Sequence, residues 1–219
     1  MAERDSTKDV TLDLAALDGE QFEKLVAAIF RAKGVPAQNN QTPPSESINP
    51  TVTSVLPSGR GPDKGQDLLV TTASNDGIIP RPFKWVVQCK HYAQSGKSVQ
   101  LSDFKNSPKF PDIVTQHQAD GYLLICSTIP ATNLQTLFES LTADRSNPYF
   151  FAIWNDTRVC EELNRHLDVM KLFFPAYYHL YHEQQMEKEG VMEWARQRCS
   201  SEKALSNFSK ALDGLMGEE

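Results

Sequence analysis

No apolar run in the chain reaches membrane-spanning length, and no charged-then-apolar leader stands at its start. The expectation is a cytoplasmic protein with no membrane partner. Cysteine is scarce and scattered. Cys89, Cys126, Cys160 and Cys199 include no C-x-x-C pair, which argues against a zinc finger and leaves reduced, buried thiols as the expectation. Basic residues are outnumbered by acidic ones. The formal net charge of −6 argues against a protein that coats nucleic acid by bulk attraction, because non-specific affinity comes mainly from neutralising phosphates. A recognition helix rich in Arg, Asn and Gln is also missing, so no stretch reads as a reader of base sequence.

What is present is enough chain for one sizeable core and an appendage: 219 residues. The expected organisation is one domain over 14–172 and a helical C-terminal extension over 173–219. Charge is unevenly spread along it. Arg81, Lys84, Lys90, Lys97, Lys105 and Lys109 stand against Asp103 alone, whereas Glu183, Glu187, Glu189, Glu193, Glu202, Asp213, Glu218 and Glu219 crowd the C-terminal part. A local basic face is compatible with a polyanionic substrate.

Periodicity orders the elements. Met1 to Leu12 is charged and expected to fray. Asp18 with Gln21 makes a capping-box start, and Phe22, Leu25, Val26, Ile29 and Phe30 form an apolar stripe at helical spacing, closed by Gly34 and Pro36. Val35 to Arg60 is polar and Pro-rich, and reads either as a loop or as a hairpin strand around Val52 to Leu56. Leu68 to Thr72 and Phe83 to Lys90 look like two neighbouring strands. Leu101 to His117 starts like a helix at Ser102-Asp103, which Pro108 and Pro111 should break. Gly121 to Ser127 reads as a buried strand and Tyr149 to Trp154 as another. Between them Asn133 to Leu141 reads as a helix with Leu134, Leu137, Phe138 and Leu141 inward. Strand, helix, strand implies parallel neighbours, and hence a mixed α/β sheet flanked by helices. After Asn155-Asp156 a further helix is expected, with Val159, Leu163, Leu167 and Met170 inward. Phe173-Phe174-Pro175 should break it, with helix resuming at Ala176. His179, His182 and Glu183 share a face there, but match no zinc-enzyme spacing and read as polar helix surface. Trp194, Leu205, Phe208, Leu212 and Leu215 continue an apolar stripe into the acidic tail.

The stretch from Gly61 to Lys90 carries the chemistry. Side chains alternate along a strand, so Phe83, Trp85, Val87 and Cys89 share one face while Lys84, Val86, Gln88 and Lys90 share the other. Gln88 and Lys90 thus stand side by side. If the preceding strand pairs alongside, Asp67 at its start reaches the same patch: a carboxylate, an amide and an ammonium at one sheet edge. Such a set can hold a divalent cation and a water next to a phosphate. Asp63-Lys64-Gly65-Gln66-Asp67 is not an EF-hand loop, since Ser74 occupies the twelfth position where a Glu is required. An ordinary polar turn is the competing reading.

Asp67 followed by Gln88-Cys89-Lys90 resembles the D…(E/Q)xK signature of the PD-(D/E)xK nucleases, specifically the Mrr-type restriction endonucleases, with Gln in place of the usual Glu. Phe22-Glu23 in the first helix matches that family's Phe-Glu pair, and Asp63 to Asp67 its Asp-x-Gly-x-Asp loop. His91 to Val99, a polar segment and Gly121 to Thr128 follow in the family's order. The resemblance runs from about Leu14 to Trp154. It implies one continuous helix between Leu101 and His117, from which the two prolines depart.

The resemblance implies a restriction-endonuclease-like fold and a Mg²⁺-dependent DNA endonuclease, with Mn²⁺ as an alternative ion. Asp67 would be the main metal ligand, joined by Gln88 or the main-chain carbonyl of Cys89. Glu23, at the margin of the helical stripe, would be a second acid. Gln offers a neutral oxygen, so affinity for the ion should be weaker unless Glu23 or Asp63 compensates. Lys90 would orient the attacking water and stabilise charge on the scissile phosphate. The catalytic set is then Glu23, Asp67, Gln88 and Lys90, with Lys64, Lys84, His91 and Lys97 as substrate-binding residues. Mrr-like domains are commonly fused to DNA-reading or sensor modules in bacterial restriction and antiphage systems, and many nucleases of this fold act as dimers. The resemblance therefore also implies DNA, a second copy and a sensor module as partners. The alternative reading is a nuclease-fold binding or scaffold domain that does not cut, in which Gln88 and Lys90 decorate a wet strand face.

Overall fold

The computed structural model describes residues 12–34, 51–57, 66–74, 81–104 and 109–198, together with 206 and 209–210. The expectations for the fraying N-terminus, the polar connection after Val35, the Asp63-Lys64-Gly65 turn, Cys199 and most of the acidic tail fall outside these residues. Two compact units emerge, one spanning Leu12–Val169 and the other taking in the chain from Met170 onward.

The first unit is built on a mixed five-stranded sheet in the order β1-β2-β3-β4-β5. β1 (Thr51–Pro57), β2 (Leu68–Ser74) and β3 (Arg81–Lys90) form an antiparallel meander. β4 (Gly121–Cys126) and β5 (Phe150–Trp154) then add in parallel to β3. Of the two readings for the segment around Val52, the hairpin strand is the one that forms. Parallel neighbours need a crossover. α2 (Phe110–Gln116) covers the step from β3 to β4, and α3 (Thr132–Ala143) the step from β4 to β5.

The first helix, α1 (Gly19–Gly34), begins as its sequence dictates: the Asp18 N–H donates to Gln21 Oε1 at 2.8 Å, and the Gln21 N–H donates to Asp18 Oδ1 at 2.7 Å. Its stripe Phe22, Leu25, Val26, Ile29 and Phe30 is buried, each side chain contributing about 1.5–3 kcal/mol by leaving water. A second core lies on the opposite face of the sheet, where Val86, Tyr122, Leu124 and Cys126 meet Phe110, Ile113, Leu134 and Phe138. Gly121 is small for a packing reason. A Cβ there would come within 2.7 Å of the Trp85 ring, which lies across the neighbouring strand.

Two expectations need correction. The one continuous helix that the resemblance implies before β4 does not form: a 3-10 turn over Leu101–Phe104 is followed by the separate helix α2, with Pro111 in its first turn, where the missing N–H costs nothing. Likewise, the helix after Asn155 is not continuous to Met170: α4 (Asp156–Arg165) ends at His166, and α5 (Leu167–Phe173) starts anew. That break turns Leu167 outward, to 38% exposure, while Val159 and Leu163 remain buried. α4 also supplies a buried carboxylate. Glu162 is 1% exposed and held by Lys33 at 2.9 Å, Arg158 at 2.8 Å and Arg165 at 3.1 Å. Three cations around one acid offset the cost of removing it from water.

In the second unit, α6 (Pro175–Arg198) starts on Pro175, as expected from the Phe-Phe-Pro break. Tyr177 stacks on Tyr181 with centroids 6.2 Å apart, and Lys171 Nζ lies 5.6 Å from the Tyr178 ring. Among the described residues no helix is long and apolar enough to cross a membrane.

Candidate active site

The hairpin of β2 and β3 sets the register of the site. The ladder begins with Leu68 opposite Val87, so Asp67, the residue just before β2, stands beside the C-terminal end of β3. The Asp67 N–H donates to Val87 O at 2.9 Å, and the Asp67 Oδ2 accepts the main-chain N–H of Cys89. The carboxylate thereby closes the end of the β2–β3 ladder. In a strand one residue's N–H and C=O point the same way, which directs the Cys89 carbonyl to the Asp67 side.

Gln88 is buried, and its Oε1 accepts a hydrogen bond from the Tyr122 hydroxyl on β4. Lys90, half-buried, follows on the same face with Nζ 5.2 Å from the Phe104 ring. Gln88 and Lys90 thus share one face at the C-terminal end of β3, beside Tyr122 and Phe104, and Asp67 is tied to that end of the strand through the Cys89 N–H. The chain reaches this layout because three consecutive same-face positions of β3 read Val86, Gln88 and Lys90. The first is core, the second reaches the rim, and the third leaves it.

The electrostatics of the floor follow from burial. Burial first, then the Asp67 carboxylate, pushes the Tyr122 hydroxyl well above its usual range, so it stays protonated and donates. Burial raises the Cys126 thiol to about 12 although the Lys90 ammonium opposes the shift. Cys89 projects to the other face; burial and then the carboxylates of Asp67 and Glu23 push its thiol well up. Neither of these two cysteines offers a thiolate at neutral pH. The oxygens at this end of β3 are the Asp67 carboxylate, Gln88 Oε1 and the Cys89 carbonyl, the donor type that hard divalent cations take. Among the described residues no three His, Cys, Asp or Glu side chains form a metal-binding group, so the side-chain share of this set is lean.

The remaining expected site residues divide. Glu23 is exposed on α1, and its charge is felt at the Cys89 thiol, on the opposite side of β3 from Gln88 and Lys90. His91 follows β3, but its Nε2–H donates to Leu17 O at 2.8 Å and its ring lies 5.2 Å from Phe22. With Gln94 Nε2 donating to the same carbonyl at 2.8 Å, it ties the loop after β3 to the approach of α1. Lys84 is not brought to the site. Six residues along a strand separate it from Lys90 by about 20 Å, and its Nζ donates to His117 O at 2.7 Å. Lys97 is exposed at the rim of an open cleft of about 510 Å³ that Tyr92, Ser95, Ser98, Gln100 and Asp103 also line. Lys64 lies outside the described residues. His179 is exposed on α6, as a polar helix surface requires.

Sequence reasoning missed Tyr122. Its signal was one hydroxyl in the otherwise apolar strand Gly121-Tyr122-Leu123-Leu124-Ile125-Cys126, since a buried phenol needs a hydrogen-bond partner.

A mixed sheet whose antiparallel hairpin presents D…QxK beside the first parallel strand defines the restriction-endonuclease-like class of α/β proteins. Comparison narrows this. The family model Mrr_cat, described as restriction endonuclease, matches residues 14–128, over half of the chain, and the protein belongs to that family. No curated protein matches it. Among solved structures it is similar to the DNA modification-dependent restriction endonuclease AspBHI, at 11% identity and TM-score 0.46, over 76% of this chain and 37% of that one. It is also similar to the MspJI restriction endonuclease in complex with a 27-mer oligonucleotide, at 15% identity and TM-score 0.44, over 73% of this chain and 32% of that one. The chain spans about a third of the length of either.

Proposed function

We infer that the protein is a metal-dependent DNA endonuclease that hydrolyses phosphodiesters at the Asp67, Gln88 and Lys90 face. The observation that supports this reading is the Asp67 carboxylate anchored on the Cys89 N–H, between Gln88 and Lys90 on β3. A divalent cation, Mg²⁺ or alternatively Mn²⁺, supplies charge shielding at the phosphate and lowers the pKa of the attacking water. Asp67, Gln88 and the Cys89 carbonyl would hold it. Glu23 adds negative potential from the α1 side. Lys90 offers a proton donor and a positive charge to the non-bridging phosphate oxygens, and its stem against Phe104 limits the positions its ammonium can take. Lys97, exposed beyond the end of β3, and Lys64 are proposed to meet the phosphate backbone, whereas His91 holds the loop after β3 through the Leu17 carbonyl.

Targeting comes from elsewhere. Family membership supports an effector role in bacterial restriction or antiphage defence, acting as a second copy assembles or as a sensor module docks. The domain would span 14–172, with 173–219 as its helical extension. A non-cutting scaffold is the second reading, favoured by the lack of any group of three metal-ligating side chains among the described residues. The deciding experiment incubates the purified chain with supercoiled plasmid and Mg²⁺ or Mn²⁺ beside Asp67→Ala and Lys90→Ala. Nicking or linearisation that both variants lose supports the nuclease; a parent that cuts nothing even at high concentration counts against it, leaving a missing activating partner or the scaffold.

A further inference from the structure

Tyr122 has no part in the D…QxK pattern, yet it is the residue that touches Gln88 from below. It is fully buried, and its ring is wedged between Phe110, with centroids 5.0 Å apart, and Phe138, at 6.0 Å. Phe110 in turn packs on Phe138 at 4.9 Å. A ring held on two sides cannot swing, so the hydroxyl is a fixed post at the floor of the site. Its bond goes to Gln88 Oε1.

The consequence concerns an amide that is otherwise hard to control. A Gln side chain has three rotatable bonds and two chemically different ends, of which only the oxygen can ligate a cation. A carboxylate at this position would present an oxygen whichever way it turned; an amide presents the wrong end half the time. Orientation therefore has to be imposed from outside. An amide oxygen has two lone pairs, and a hydroxyl that occupies one leaves the other for a cation while fixing the plane of the group. Outer partners of this kind set the orientation and basicity of metal ligands.

We propose that Tyr122 is a positioning residue for the cation: its hydroxyl clamps Gln88 Oε1 so that the neutral amide can serve where a carboxylate would otherwise be needed. This rests on the nuclease reading above, because it assigns Gln88 to the ion. It adds that cation affinity depends on a side chain in the core of the neighbouring strand. The bond between them makes Gln88 and Tyr122 a functional pair rather than independent residues.

The test is a double-mutant cycle on the full chain, read by direct Mn²⁺ binding through electron paramagnetic resonance or calorimetry. Tyr122→Phe keeps the ring in its aromatic cluster and removes only the hydroxyl, so thermal unfolding verifies that the fold survives. The Kd for Mn²⁺ should rise by about 10-fold or more in Tyr122→Phe, and cleavage should recover as Mn²⁺ is raised. In a Gln88→Ala background the same Tyr122→Phe change should leave the Kd unmoved, because the group it orients is gone. Unchanged Mn²⁺ affinity in folded Tyr122→Phe, or an equal loss in both backgrounds, overturns the proposal while a cutting parent leaves the nuclease reading intact. A parent that takes up no Mn²⁺ overturns both.

Discussion

The Asp67 carboxylate accepts the main-chain N–H of Cys89 across the hairpin from β2 to β3. One side chain thereby does two jobs that can be separated: it ends a sheet ladder through Oδ2 and places negative charge at the rim.

Asp67→Asn retains an oxygen that can accept the Cys89 N–H but loses the charge. It should unfold within about 1 kcal/mol of the parent and bind Mn²⁺ poorly. Asp67→Ala loses both functions, and its unfolding free energy should fall further, by about 1–3 kcal/mol as the buried donor goes unmet. Urea titration of the two variants beside Mn²⁺ binding separates the structural from the electrostatic role.

Lys90 combines an apolar stem and a charged tip at the Phe104 ring. Lys90→Met keeps most of the stem volume and should change stability by no more than about 1 kcal/mol, the scale of an exposed cation–π contact. Plasmid cleavage should drop by about 100-fold or more, the cost of deleting one preorganised donor. A variant that cuts at the parental rate would remove Lys90 from the mechanism.

Gly121→Ala places a methyl 2.7 Å from the Trp85 ring and 3.0 Å from the Phe150 carbonyl. Overpacking of this kind should cost about 1–3 kcal/mol. Trp85→Leu in the same chain should recover part of that loss, because the obstructing ring is removed. Thermal unfolding of the two single variants and the double variant provides the check.

Glu162→Ala leaves Lys33, Arg158 and Arg165 facing one another around a site from which the buried acid has gone. The expected loss is about 3 kcal/mol, less if the half-exposed arginines turn into water. Cleavage per folded molecule should be unchanged at a temperature where the variant remains native. A loss of activity without a loss of stability would instead make this cluster part of the site.

Local rules carried much of the fold. The capping box at Asp18 and Gln21 marked the start of α1, because that signal is made by residues three apart and needs no tertiary partner. β2 and β3 were readable for a similar reason: alternation and bounding polar residues act within a strand. Long-range geometry was less accessible. Pro111 could end one helix or open another, and only the packing of Phe110, Ile113 and Val114 into the core favours opening. Lys84 belongs to the same strand face as Lys90, yet the chain reversal at His117 captures its ammonium.

By itself, then, the sequence determined that Gln88 and Lys90 share a face of β3 and that Asp67 lies at the end of the paired strands, because strand alternation and hairpin pairing are short-range constraints. Only the tertiary structure decided what each of them touches. It set the Tyr122 hydroxyl under the Gln88 amide, Phe104 under the Lys90 ammonium, and His91 against the carbonyl of Leu17. Those contacts join residues far apart in the chain, and their existence depends on how helices and parallel strands pack, which no local pattern encodes.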